Sequence, residues 1–124
     1  MSWTYVQRTG ALLDPAGQLV ALGYSGRGAD KNNPDEEAVK GMGPLPQGTY
    51  GILPPVNTMT HGPYVLWLVP DPGNDMLGRS GFGIHGDSVV DPGNASEGCI
   101  VMPLFARMKV AQSGDTKLQV IANL

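Results

Sequence analysis

The segment GFGIHGDSVVDPGNASEGCIV, Gly81 to Val101, contains the one cysteine of the chain, Cys99, and one of its two histidines, His85. A thiol attacks a carbonyl carbon as its thiolate, and with an ordinary pKa of about 8.5 only a few per cent is ionised at neutral pH. An imidazole within hydrogen-bond reach takes the proton and makes the nucleophile competent. His85 follows the strand-like run GFGI and Cys99 precedes a helical pattern, so each is expected at the end of an element facing the other. Gly86 and Gly98 flank the pair, where a missing Cβ admits a substrate backbone and permits positive φ. The competing reading is a buried, inert thiol beside an ordinary loop, a common fate of an isolated cysteine.

The elements that must position this pair are short. With 124 residues, 18 Gly and 11 Pro, the chain is expected to be one domain, residues 1–124, rich in turns and poor in long helices. Trp3 to Gln7 and Gln18 to Tyr24 are β-type runs around the turn Asp14-Pro15-Ala16-Gly17, which predicts an opening hairpin. Arg27 to Gly43 is polar and rich in Gly and Asn, which predicts a mobile loop over the cleft with one short helical turn at Asp35 to Lys40. Strands are expected at Thr49 to Leu53 and Tyr64 to Val69, and tight turns at the two DPGN segments, Asp71 to Asn74 and Asp91 to Asn94. Leu104, Phe105, Met108 and Ala111 have helical spacing between Pro103, suited to a first turn, and Gly114, suited to a stop. TKLQVIANL predicts a last strand.

Composition excludes several partners. A net charge of −3 with 8 Lys plus Arg gives no basic stripe, so neither nucleic acid nor an anionic membrane surface is expected to bind. No apolar run approaches the length of a membrane span, and one cysteine makes no internal disulfide. His61, His85, Asp87 and Cys99 form a mixed set of possible ligands, but no Cys-x-x-Cys or His-x-x-x-His spacing is present, so no metal and no cofactor is expected. His61, in THGPY, is expected to be a surface or turn histidine, and Tyr50, Trp67 and Phe82 are expected in the core.

IHGD followed by SEGCIVM resembles the signature of the L,D-transpeptidase superfamily, a His-Gly pair preceding Ser-x-Gly-Cys-Ile by a short loop. YSG, NNP, GPLPQGTYGI and GRSGFGIHGD extend the resemblance, over about Trp3 to Met102, to the branch of the type VI secretion L,D-transpeptidase effectors. The resemblance implies a mainly β, L,D-transpeptidase-like sandwich or barrel with one or two short helices. It makes Cys99 the nucleophile and His85 the base, with Ser96 and Gly98 shaping the turn. Backbone N–H groups of Gly98 and Cys99 are then the natural oxyanion donors. A backbone carbonyl or Asp87 orients His85, while Gly86, Asp87, Arg79 and Tyr24 face the substrate. Two positions depart from the wider pattern. Glu97 stands where many relatives have His before Gly-Cys, and Val101 stands where they have Arg, which leaves Arg79 and Arg107 as candidate carboxylate anchors.

The implied substrate is the peptidoglycan stem peptide. Attack at the third residue of a tetrapeptide releases D-alanine and leaves a thioester, which water, a D-amino acid or a stem amine then resolves. MSWTYVQRTG has no basic and apolar leader pattern, so the expectation is synthesis in the cytoplasm without a signal peptide. Action in the periplasm of a target cell then requires delivery by a secretion or lysis system. An immunity protein and a component of the secretion machine are the partners this implies. The rival reading is a non-catalytic or phage-associated wall-binding or lysis protein of the same fold.

Overall fold

Turn chemistry divides the first quarter of the chain into a meander. The computed structural model describes every residue from Met1 to Leu124. β1 (Ser2–Val6), β2 (Ala11–Leu13) and β3 (Leu19–Leu22) pair antiparallel in succession. Asp14 builds the expected turn, its carboxylate accepting from the amides of Ala16 at 2.9 Å and Gln18 at 3.0 Å. That turn joins β2 to β3, so the expected single hairpin contains a second reversal. There the Gly10 amide donates to the Val6 carbonyl at 2.9 Å.

The remaining strands are β4 (Tyr24–Ser25), β5 (Gly48–Ile52), β6 (Val56–Thr58), β7 (Gly62–Pro70), β8 (Gly83–His85), β9 (Ile100–Val101) and β10 (Lys117–Ile121). They order as β3-β2-β1-β10-β5-β7-β8-β9-β4, with β6 laid against β7. β1 with β10 and β8 with β9 are parallel pairs; the others are antiparallel. β3 and β4 stand at opposite ends of this order, yet Gly23 alone separates them in the chain. The sheet therefore curls until its ends meet, giving the barrel-like, mainly β fold that was expected. A Cβ at Gly23 would collide with the Val101 carbonyl oxygen and the Met102 side chain, so the seam needs glycine.

Register places the core. Trp3, Leu118 and Tyr50 form one row across β1, β10 and β5, and all three are buried. Two residues along, Tyr5 faces Val120, and the alternation that buries these side chains sends Thr4 and Gln119 outward. Ile52, Leu66, Leu68, Ile84 and Ile100 continue the same cluster beneath the site.

α1 (Leu104–Gln112) lies on β7 and β8 and is the expected helix, with its stop at Gly114. Its buried face is not the expected one. Ala106, Arg107 and Val110 point inward, while Leu104, Phe105 and Met108 are exposed. The reason is Arg107, which is buried with its guanidinium donating to the carbonyls of Met102, Pro63 and Tyr64 at 2.8–3.1 Å. A pattern counted on apolar side chains misses a face built around a guanidinium.

The segment from Arg27 to Gly43 also differs from expectation. Its helical turns are two short 3-10 turns, at Gly28–Asp30 and Pro34–Glu36, and the second begins one residue before the expected Asp35 to Lys40 turn. The segment is pinned at several points. Glu37 accepts from the side chain of Gln7 and the amide of Gln47, Arg79 reaches the carbonyls of Glu37 and Gly43, and Arg27 donates to Met42. Arg27 and the Lys40–Gly41 tip are the parts of the segment that border the cleft.

Candidate active site

The parallel pair β8 and β9 sets the geometry. Ile84 lies beside Ile100 and His85 beside Val101, and the ladder continues backwards to bring Gly83 next to Cys99, where the Gly83 amide donates to the Cys99 sulfur at 3.3 Å. Side chains alternate along a strand, so His85, two residues beyond Gly83, emerges on the same face as Cys99. Both are nearly enclosed, at 7% exposed for Cys99 and 4% for His85, and both touch a polar cavity of about 650 Å³.

The turn that presents Cys99 is tightly held. Ser96 Oγ accepts from the amides of Gly26 at 2.9 Å and Gly98 at 3.1 Å and donates to the Cys99 carbonyl. Ser25 Oγ donates to the Gly98 carbonyl at 2.9 Å and accepts from the Leu45 amide at 2.8 Å. The YSG and SEGC segments are thus tied together through two hydroxyls. Gly98 adopts φ +140°, and a Cβ there would lie 2.5 Å from the Phe82 ring and 2.6 Å from the Arg79 guanidinium. Of the two amides expected to receive an oxyanion, Gly98's is committed to Ser96, while that of Cys99 donates to no protein group.

His85 is oriented by a carbonyl. Its Nδ1 lies 2.7 Å from the Gly86 oxygen, an acceptor only, so Nδ1 is the protonated nitrogen and Nε2 keeps a free lone pair. Asp87 does something else. It accepts from the Tyr24 hydroxyl at 2.6 Å, the Ser88 amide at 2.8 Å and the Gly93 amide at 3.1 Å, so it shapes the loop after β8 and leaves His85 to the Gly86 carbonyl. Burial alone would raise the Asp87 pKa, but these donors outweigh it and hold the carboxyl below its ordinary value. Burial and then the bond to Asp87 push the Tyr24 hydroxyl up to about 12, which keeps it a neutral donor. Gly86 lies between the main cavity and a neighbouring one of about 560 Å³, which Tyr24 borders, and the Arg107 guanidinium packs against it.

The electrostatics correct a simple ion-pair picture. Burial pushes the Cys99 thiol up, the Gly83 amide and Arg79 oppose that, and Glu97 adds to it; the net shift is upward. Burial lowers the His85 pKa, and the charges of His61 and Arg107 add to the lowering against the Gly86 carbonyl and Asp87. The resting pair is therefore a neutral thiol and a neutral imidazole rather than a stored thiolate–imidazolium.

Of the two candidate carboxylate anchors, Arg79 has no free terminal nitrogen, whereas Nη2 of Arg107 makes no hydrogen bond to protein and lies beside Gly86. Arg79 is buried, and its two terminal nitrogens donate to the carbonyls of Glu37, Pro44, Gly43 and Glu97 at 2.6–3.0 Å. It braces the loop before β5 against the cysteine turn, while Arg107 braces α1 against β7. The cations on the cavity wall that remain are Arg27 and Lys40, both exposed.

His61, expected as a surface or turn histidine, also borders the cavity. It lies in the turn between β6 and β7, its amide donating to Thr58 Oγ1 at 2.8 Å, and its ring stands edge-on to both Trp67 and His85 with centroids 5.2 Å from each. One ring nitrogen from His61, one from His85 and the Cys99 sulfur lie within 4.8 Å of one another. Both histidines precede a glycine, but only the pairing of β6, β7 and β8 reveals that the two meet. Trp67, expected in the core, is half-buried beside His61, whereas Tyr50 and Phe82 are buried as expected.

Fold and site together define a small curled β domain with a thiol and an imidazole facing each other in a polar cleft. The chain belongs to the Tlde1 domain family, whose sequence model matches residues 20–121. This is a family of type VI secretion L,D-transpeptidase effectors. The fold is similar to that of Bd1075 from Bdellovibrio bacteriovorus, with a TM-score of 0.60 at 15% identity, covering 98% of this chain and 48% of that one. The chain thus spans about half the length of that protein. No curated protein matches it. No helix of the chain is long and apolar enough to cross a membrane.

Proposed function

We propose that the chain is a cysteine-dependent enzyme that trims tetrapeptide stems of peptidoglycan, as an L,D-carboxypeptidase with D-amino-acid exchange, in the periplasm of a cell into which it is delivered. The observation that supports this most is the placement of Cys99 and His85 on one face of adjacent strands, with the imidazole tautomer fixed by the Gly86 carbonyl. As Cys99 Sγ bonds to the carbonyl carbon of the third stem residue, its proton passes to His85 Nε2. The Cys99 amide donates to the developing oxyanion. Collapse breaks the bond to the terminal D-alanine, whose amine takes the proton back from His85, and a thioester remains. Water, deprotonated by the same imidazole, releases the tripeptide; a free D-amino acid gives exchange. The open, polar cleft favours these small acceptors over a second stem. Arg27, whose terminal nitrogens have no protein partner, and Lys40 supply the charge for the substrate's terminal carboxylate.

Purified muropeptides incubated with the protein and read by mass spectrometry test the reading. Tetrapeptide stems should become tripeptides, and the folded Cys99→Ala protein should leave them intact. Turnover by folded Cys99→Ala sinks the thiol mechanism. Stem-peptide binding without turnover in the wild type, unchanged in the variant, points to a wall-binding protein instead.

A further inference from the structure

His61 plays no part in the steps above, yet it stands over the nucleophile and the base. Its Nδ1 lies 2.8 Å from Thr60 Oγ1, and the Nδ1 of His85 lies 2.7 Å from the Gly86 oxygen. Each imidazole thus has one nitrogen held by an oxygen partner; the other keeps its lone pair in His85, and does so in His61 in the tautomer whose Nδ1–H donates to the Thr60 hydroxyl, the arrangement that outer partners impose on metal-binding histidines. The third member of the cluster is the sulfur of Cys99, so the donor set is two imidazole nitrogens and one thiolate within 4.8 Å of one another. Tetrahedral zinc places such donors about 3.3–3.6 Å apart, so side-chain rotations of about an ångström complete the site. The fourth position opens to the cavity that all three residues border.

We propose that Cys99, His85 and His61 form a reversible site for a thiophilic divalent cation of the zinc class, and that occupancy silences the thiol. Binding forms a metal–sulfur bond and releases the thiol proton to solvent, one proton per ion, with no change of oxidation state. The surroundings limit its strength. No carboxylate joins the donor set, and the guanidiniums of Arg79 near Cys99 and Arg107 near His85 oppose a dication. A cation-poor setting would make a permanent cofactor site; this one makes a site that releases its ion when free metal falls. The silencing rests on the thiol being the nucleophile, whereas the site itself rests on geometry alone.

The test uses untagged, metal-free protein and two probes, cobalt(II) and zinc(II). Cobalt should bind at one ion per chain with a sulfur-to-cobalt charge-transfer band in the near ultraviolet, and zinc should displace it. Cys99→Ser should lose the band. His61→Ala, or His61→Gln if the first does not fold, should bind about tenfold or more weakly, and its stem-trimming rate should need correspondingly more zinc for half inhibition, relative to its own metal-free rate. A folded wild type without the one-to-one band overturns the proposal. So does an affinity unchanged in a folded His61 variant. A protein that shows the band but trims no stems keeps the metal site and overturns the enzymatic reading; one that trims stems and ignores zinc does the reverse.

Discussion

In the proposed reaction Cys99 and His85 start as neutral groups, and that fixes the sign of the pH dependence. Burial raises the thiol above its ordinary range, so the second-order rate of alkylation by a neutral reagent should keep rising past pH about 8.5. Burial lowers the imidazole, so His85 stays a competent base down to a pH below about 6.5, and the acid limb of kcat/KM against pH should fall there. An acid limb centred above about 6.5 would contradict the lowered imidazole, and a thiol that alkylates with an inflection well below about 8.5 would show that the pair is stored as ions after all. His85→Ala should lower kcat by about 10²–10⁴-fold, the usual worth of a positioned base. At this scale the sequence was informative: residue types and one local pattern singled out the thiol and the imidazole. His61 was invisible because its neighbour is decided by strand pairing, and the bracing role of Arg79 was illegible because a guanidinium spaced for a substrate looks the same in sequence as one bonded to four carbonyls.

Elements enter through the braces between them. Arg79→Ala would strand four carbonyls that link the Glu37 to Pro44 segment with Glu97, and the expected loss of stability is on the order of 3 kcal/mol. Chemical denaturation measures that loss. Trypsin should cut after the exposed Lys40 faster in the variant than in the wild type. Equal cleavage rates in the two folded proteins would mean that the segment is held by Glu37 and its amide partners alone. The strands of this region were legible from turn residues, as at Asp14 and at both DPGN segments, where Asn74 and Asn94 donate to the carbonyls of Asp71 and Asp91 at 3.0 and 3.3 Å. β6 was not, since Val56–Thr58 is short, exposed over most of its length and defined only by its partner. The helix was found and its face was not, because Arg107 occupies a core position while making charge-assisted hydrogen bonds.

The whole molecule is a sheet whose ends are the same piece of chain, and two expectations belong to that scale. Gly23→Ala should destabilise the fold and weaken the site together, since the seam carries β3 on one side and the Tyr24–Ser25 support of the cysteine turn on the other. Loss of thermal stability with an undisturbed rate of Cys99 alkylation would separate the two. In cells, protein kept in the cytoplasm should be harmless, the same protein carried to the periplasm by a secretory leader should slow growth and raise the tripeptide share of the wall, and Cys99→Ala should be harmless in both places. Periplasmic protein that is folded and leaves the wall unchanged would remove peptidoglycan as the substrate. The global order of strands was out of reach of the sequence, because the pairing of β1 with β10 joins residues 2–6 to residues 117–121, and no local pattern encodes a contact that distant. That same pairing has a mechanical side. β1 and β10 run parallel, so tension applied at Ser2 and Ile121 pulls the two strands past each other along their length and loads their ladder, extended by the Gln7 and Arg8 amides on Ile121 and Ala122, all at once. Bonds loaded together resist more force than bonds unzipped singly. A machine that threads this chain by one end must first shear that ladder, whereas one that carries it folded meets no such resistance.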